Sequence, residues 1–198
     1  MSQMESFQAH VFTDESTVEL NTHRRTIVVS RDDPTANTVP KHKHVVKVTV
    51  WAGISYQGPT DVVITDSGVR INSGIYQQMI RDAYLDWSKE HYGDQAILVQ
   101  DSAPPHVSHS TRSRLEHWGV KLESWPPESP DLNPVEMLWA HLKHHLSNTY
   151  KPTDLHSLKE AIKRYFDEQV TKELCRALID HIHKAMGKVL AADGGPTH

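Results

Sequence analysis

Three carboxylates occupy positions from which acids can do chemistry. Asp14 closes the apolar run HVFTD (10–14), Asp101 closes AILVQD (96–101), and Glu136 lies in the first turn of a segment opened by Asn133 and Pro134. In an open α/β sheet the ends of strands bound the ligand crevice. If the first and fourth strands are neighbours, two carboxylates meet at one edge and the helix delivers the third. Carboxylates that close repel and raise one another's pKa unless a cation lies between them. The ligands are oxygens, and Cys175 is the single cysteine, so the set favours a hard ion, Mg2+ or Mn2+, over zinc. Two such ions about 3.5 to 4 Å apart can activate an attacking hydroxyl and stabilise the leaving oxygen of a phosphodiester. Each acid alone also has an ordinary role: Glu136 can hydrogen-bond back to the Asn133 cap, and Asp14 and Asp101 can form strand-end turns.

Hydropathy patterning defines the elements that must hold these acids. HVFTD, resumed by VEL at 18–20, reads as a strand and its turn. Residues 21–44 are polar, with RRTIVVS as one possible short strand, and are long for a plain connection. VVKVTVWAGIS (45–55) alternates and is separated by Gln57, Gly58 and Pro59 from DVVIT (61–65), a hairpin signature. Ile71 to His91 carries apolar residues at helical spacing, and Gly93 ends it. AILVQD predicts a buried strand, Ser108 to Trp118 a helix closed by Gly119, and VKLESW (120–125) a fifth strand.

PPESPDLNP then forms a rigid loop, and Asn133 with Pro134 starts a helix reaching about Leu146. At 100° per residue from Val135, the residues Leu138, Trp139, Leu142 and Leu146 fall between about −60° and +40°, and Glu136 at about 100°, on the rim beside Trp139. Two further helices, Thr153–Val170 and Thr171–Leu190, read as covering helices. The expected architecture is α/β: a mixed five-stranded sheet in the order β-β-β-α-β-α-β-α, flanked by helices, with extra helices at the C-terminal end.

The 198 residues fit one domain. No stretch approaches about 18 consecutive apolar residues, and MSQMESFQAH lacks the order of a signal peptide, which sets the expectation of a soluble, intracellular chain without a membrane partner. The formal charge of −4 argues against a generic DNA-coating protein. The 15 histidines can add positive charge below pH of about 6.5, so any nucleic-acid binding should strengthen as pH falls. His141, His144 and His145, with His181 and His183, invite a metal reading but have no acid at ligand spacing and read as solvated surface. The tryptophans at 51, 87, 118, 125 and 139 read as core, and Lys41 to His44 as loop or phosphate contacts.

The segments VFTDES, ILVQDSAPPH and SWPPESPDLNPVEMLWAHLK resemble the three signature blocks of the Tc/mariner superfamily of DDE transposases. The 34 residues between Asp101 and Glu136 match the interval of Tc-like and many mariner-like members. The resemblance implies an RNase H-like fold and an enzyme that cuts DNA phosphodiesters and joins 3′-hydroxyl ends to target DNA. It makes Asp14, Asp101 and Glu136 the catalytic, metal-binding triad for two Mg2+ or Mn2+ ions, with supporting roles for His106 and Asn133. It implies double-stranded DNA as partner, a homodimer in which residues 21–44 act as a clamp, and action in the nucleus. The corresponding organisation is a tail at 1–8, a catalytic domain at 9–150, covering helices at 151–191 and a tail at 192–198.

Family members commonly have Asn at the position of Ser102 and an aromatic at that of Val18, and neither departure removes a metal ligand. The paired helix-turn-helix region that precedes this domain in the family is not among these residues, so the chain alone is not expected to read a specific DNA sequence. Two other readings stand beside the enzyme: a retired or domesticated transposase-derived binding module, and an RNase H-like nuclease acting on RNA–DNA hybrids.

Overall fold

A computed structural model describes residues 7–20, 46–66, 68–123 and 133–191, with 183–191 in backbone alone. The segment 21–44, with its possible strand and clamp, lies outside the described residues, as do Trp125 and most of the PPESPDLNP loop. Strands β1 (His10–Glu19), β2 (Lys47–Ser55), β3 (Gly58–Pro59) and β4 (Val63–Ile64) come first. Helices α1 (Ser73–Ile80) and α2 (Asp86–Tyr92) follow, joined through a π-helical turn at Arg81–Leu85. Then come β5 (Ile97–Val99), α3 (Pro104–Val107), α4 (His109–His117), β6 (Lys121–Glu123), α5 (Pro134–His145), α6 (Leu155–Gln169) and α7 (Lys172–Ala191). No helix among the described residues is long and apolar enough to cross a membrane.

The sheet runs β3-β2-β1-β5-β6, with β4 paired to β2 off this path. β1 and β2 are antiparallel, whereas β1, β5 and β6 are mutually parallel neighbours, so the sheet is mixed as expected. It has six strands rather than five. The return from β2 is interrupted where Thr60 Oγ1 accepts the Gly53 N–H (2.8 Å), a side chain standing in for a ladder partner. Gly58 and Pro59, expected in the turn, pair with Ser55 and Ile54.

A second correction concerns Asp14, which does not end its strand. β1 continues to Glu19 because pairing with β2 runs on from Asp14↔Ala52 to Glu19↔Lys47. The polar Glu15-Ser16-Thr17 stretch mimics a turn in sequence, but the neighbouring strand supplies its backbone partners. What stops before Asp14 is the pairing with β5, whose last pair is Phe12↔Val99.

Alternation along the strands sends side chains to two cores. On one face Phe12, Val18, Val50 and Ile54 pack with Val135, Leu138, Trp139 and Leu142 of α5 and with residues of α6 and α7. On the other, Val11, Trp51 and Leu98 pack with Tyr76, Met79 and Ile80 of α1 and with Leu115 of α4. The predicted α5 stripe, Val135, Leu138, Trp139, Leu142 and Leu146, is buried throughout, while Glu136 is exposed. At about 1.5–3 kcal/mol per buried large apolar side chain, this stripe clamps α5 to the sheet and fixes where its first turn stands. His141, His144 and His181 are exposed as expected; His145 instead packs against Tyr150 and Tyr165.

Candidate active site

Asn133 joins α5 to β1. Its Oδ1 accepts the Val135 N–H (3.2 Å), capping the helix, and its Nδ2 donates to the Thr13 carbonyl (3.3 Å). Pro134 at the first helical position needs no partner for its nitrogen. One side chain thereby starts the helix and ties it to the residue before Asp14. Asp14 shares the α5 face with Phe12 and Val18, and its Oδ2 accepts the indole N–H of the buried Trp139 at 3.1 Å. The Glu136 carboxylate, one turn nearer the helix start, takes no hydrogen bond among the described residues, so it does not close the capping box that its spacing allowed. Burial pushes the Asp14 carboxyl up to about 7; the charges of Glu136 and Glu15 add to it, against hydrogen bonds from the Glu15 N–H and Trp139.

Asp101 approaches from β5. Pairing with β1 ends at Phe12↔Val99, and Asp101 follows two residues past that last pair, beyond the end of the strand. Its Oδ1 accepts the Ala103 N–H (2.9 Å) and meets His106 Nδ1 at 2.5 Å. The other ring nitrogen, Nε2, lies 3.1 Å from Glu15 Oε1. The Tyr76 ring covers the imidazole at a centroid distance of 4.0 Å, and its hydroxyl donates to Gln100 Oε1 (2.5 Å). Burial alone would lower the His106 pKa, but the hydrogen bonds to Asp101 and Glu15 outweigh it and raise the ring to about 9. The same bond holds the Asp101 carboxyl below its usual value, against partial burial.

With this geometry, comparison with known proteins is decisive for the family. A family profile described as DDE superfamily endonuclease matches residues 9–159. The chain belongs to that family. The Tc3 transposase of Caenorhabditis elegans is 34% identical over 144 residues, 68% of this chain and 42% of its own length. The Tcb2 transposase of Caenorhabditis briggsae is 25% identical over 193 residues, 95% of this chain and 69% of its own. Among solved structures, the Mos1 mariner paired end complex with Mn superposes with a TM-score of 0.78 at 21% identity, over 98% of this chain and 58% of that one. The corresponding complex with Mg gives 0.77 at 23% identity, over 99% and 59%. The chain is a DDE domain of the Tc/mariner type with the RNase H-like fold of the Mos1 catalytic domain.

Within this DDE domain, Asp14 and Glu136 come together through α5, and Asp101 stands just past the end of β5, the parallel neighbour of β1. Their carboxylates do not converge on one point: Asp14 is turned to Trp139 and Asp101 to His106. Among the described residues no three His, Cys, Asp or Glu side chains close into a metal-binding group. The donor set nevertheless fits a hard divalent ion. Asp14 is a half-buried carboxyl raised first by desolvation and further by two neighbouring carboxylates, and neither it nor Glu136 has an ion pair among the described residues. That is an unmet demand for positive charge, offered by oxygens alone.

Two participants are absent from the sequence expectations. Trp139 reads as core, and it is, yet its N–H also holds Asp14; its place three residues after Glu136 on one helix is the signal. Glu15 follows Asp14 on a strand and so faces the opposite side, toward His106, a placement that period-two alternation contains.

Proposed function

We propose that this DDE domain cuts DNA phosphodiesters and joins the freed 3′-hydroxyl ends to target DNA, with Asp14, Asp101 and Glu136 holding two divalent cations, Mg2+ or Mn2+. When bound, such ions supply the positive charge that acidifies an attacking hydroxyl and stabilises a leaving oxygen. The chain's own residues do the positioning. Asp14 is held from the α5 side by Trp139, and Asp101 is held by His106 and the Ala103 N–H. Glu136 is exposed at the start of a helix fixed to β1 by Asn133, where it can close over a cation and a DNA strand.

The observation that carries the reading is the approach of Asp14 and Glu136 across the β1–α5 contact, with Asp101 just past the end of the neighbouring strand β5. The partners proposed are double-stranded DNA, as transposon ends and target, and a second copy of the chain; the site of action is the nucleus. Support comes from the paired-end mariner complexes that share the fold, although the chain spans only 42% of the Tc3 transposase and 58% of the Mos1 chain.

Nicking of supercoiled DNA tests the activity. The wild type is expected to nick with Mg2+ or Mn2+ and not with chelator, and Asp101→Asn to lose nicking while its circular dichroism is unchanged. Cleavage retained by that variant contradicts the assignment.

A further inference from the structure

Glu15 is an acid that the proposed chemistry does not use, yet its side chain is only 15% exposed and, among the described residues, it meets a ring nitrogen of His106, itself 4% exposed. Asp101, His106 and Glu15 form a continuous chain: Asp101 Oδ1 to Nδ1 at 2.5 Å, Nε2 to Glu15 Oε1 at 3.1 Å. Asp101 Oδ1 also takes the Ala103 N–H, so this oxygen is saturated, and Oδ2 has no hydrogen bond among the described residues. An imidazole anchored at one nitrogen only can rotate about that contact; anchored at both, and covered by Tyr76 at 4.0 Å, it has one orientation.

We propose that Glu15 is a positioning residue of the metal site, locking His106 so that Asp101 presents its second oxygen to a divalent cation. The strand makes this possible, because alternation sends Asp14 and Glu15 to opposite faces of the sheet. One residue thus contributes a ligand on the α5 side while the next secures the partner acid from the α3 side. The inference rests on the reading of Asp101 as a metal ligand. Groups that orient ligands characteristically change metal affinity by about 10- to 100-fold when removed.

The test is calorimetric titration of the 198-residue chain with Mn2+, with folding checked by circular dichroism. Glu15→Met removes the acceptor at similar length and is expected to weaken Mn2+ binding about 10- to 100-fold. Glu15→Gln keeps an oxygen for Nε2 and is expected to stay within about twofold of wild type. The loss in Glu15→Met should also vanish in a His106→Ala background, since Glu15 acts through that ring.

Equal losses in Glu15→Gln and Glu15→Met would overturn the proposal by making Glu15 a ligand. Additive losses with His106→Ala, or unchanged affinity in Glu15→Met, would overturn it as well. Should Glu15→Met not fold, Glu15→Asp, one methylene too short for the ring, takes its place with the same expected loss. Asp101→Asn in the same titration separates the levels: Mn2+ binding retained there defeats the metal-site reading, whereas binding lost there but unchanged in Glu15→Met defeats only the role of Glu15.

Discussion

Asp14 carries its carboxyl at about 7 because burial opposes the charged form and two carboxylates stand nearby. Relative to its ordinary value of 3.8, its contribution to the stability of the metal-free fold is complete below that value and lost as pH rises through about 7. His106, raised from 6.5 to about 9, acts in the same direction, with stability present below 6.5 and lost as pH passes about 9. Asp101 is lowered, so its contribution is present above 3.8 and lost on further acidification. The metal-free domain should therefore melt highest in mild acid. In chelator at pH 8, Asp14→Asn should melt above wild type, by up to about 2–4 kcal/mol of stability. Excess Mn2+ should reverse the order by stabilising only the wild type, and thermal melts at pH 5 and 8 measure both effects. Trp139→Phe keeps a ring in the core but removes the donor to Asp14. It should cost about 1–3 kcal/mol and weaken Mn2+ binding at neutral pH, read by melting and calorimetry.

The elements that bring the acids together depend on close approach between β1 and β2. A Cβ on Gly53 would stand 2.9 Å from Thr13 Cγ2, 3.0 Å from Thr60 Cγ2 and 3.1 Å from Val11 Cγ1. Gly53→Ala should destabilise by about 1–3 kcal/mol. It should also weaken Mn2+ binding, because Thr13 Oγ1 donates to the Val99 carbonyl and braces β1 against β5 beside both aspartates. Asn133→Ala should cost about 1 kcal/mol through the lost cap and free the α5 start from β1, giving a lower melting temperature than a cap mutation at the distant α6 start, Asp154→Ala. Helix α5 was legible in advance because Asn133, Pro134 and the apolar stripe all fix its phase, and with it the side from which Glu136 projects. The strand carrying Asp14 was less legible: DESTV has turn composition, and only β2, distant in sequence, makes it strand. The Glu15–His106 contact joins residues 91 positions apart and has no local sequence signal beyond strand alternation.

At the scale of the molecule, an acidic chain is proposed to hold a polyanion, so its positive charge must be local or supplied by bound cations. With a formal charge of −4 and 15 histidines, DNA affinity should rise as pH falls from 8 to 6 and drop with added salt. Fluorescence anisotropy with a labelled duplex measures both. Two sheet faces, each covered by its own helices, give β1 a rigid central place next to β2 and β5. What remains to move is at side-chain level: Glu136 folding inward while Trp139 keeps its bond to Asp14. Crystals grown with Mn2+ and measured at its absorption edge test the central claim most directly. The account predicts anomalous density between Asp14, Asp101 and Glu136. Mn2+ bound elsewhere on the chain, with that crevice empty, would contradict it.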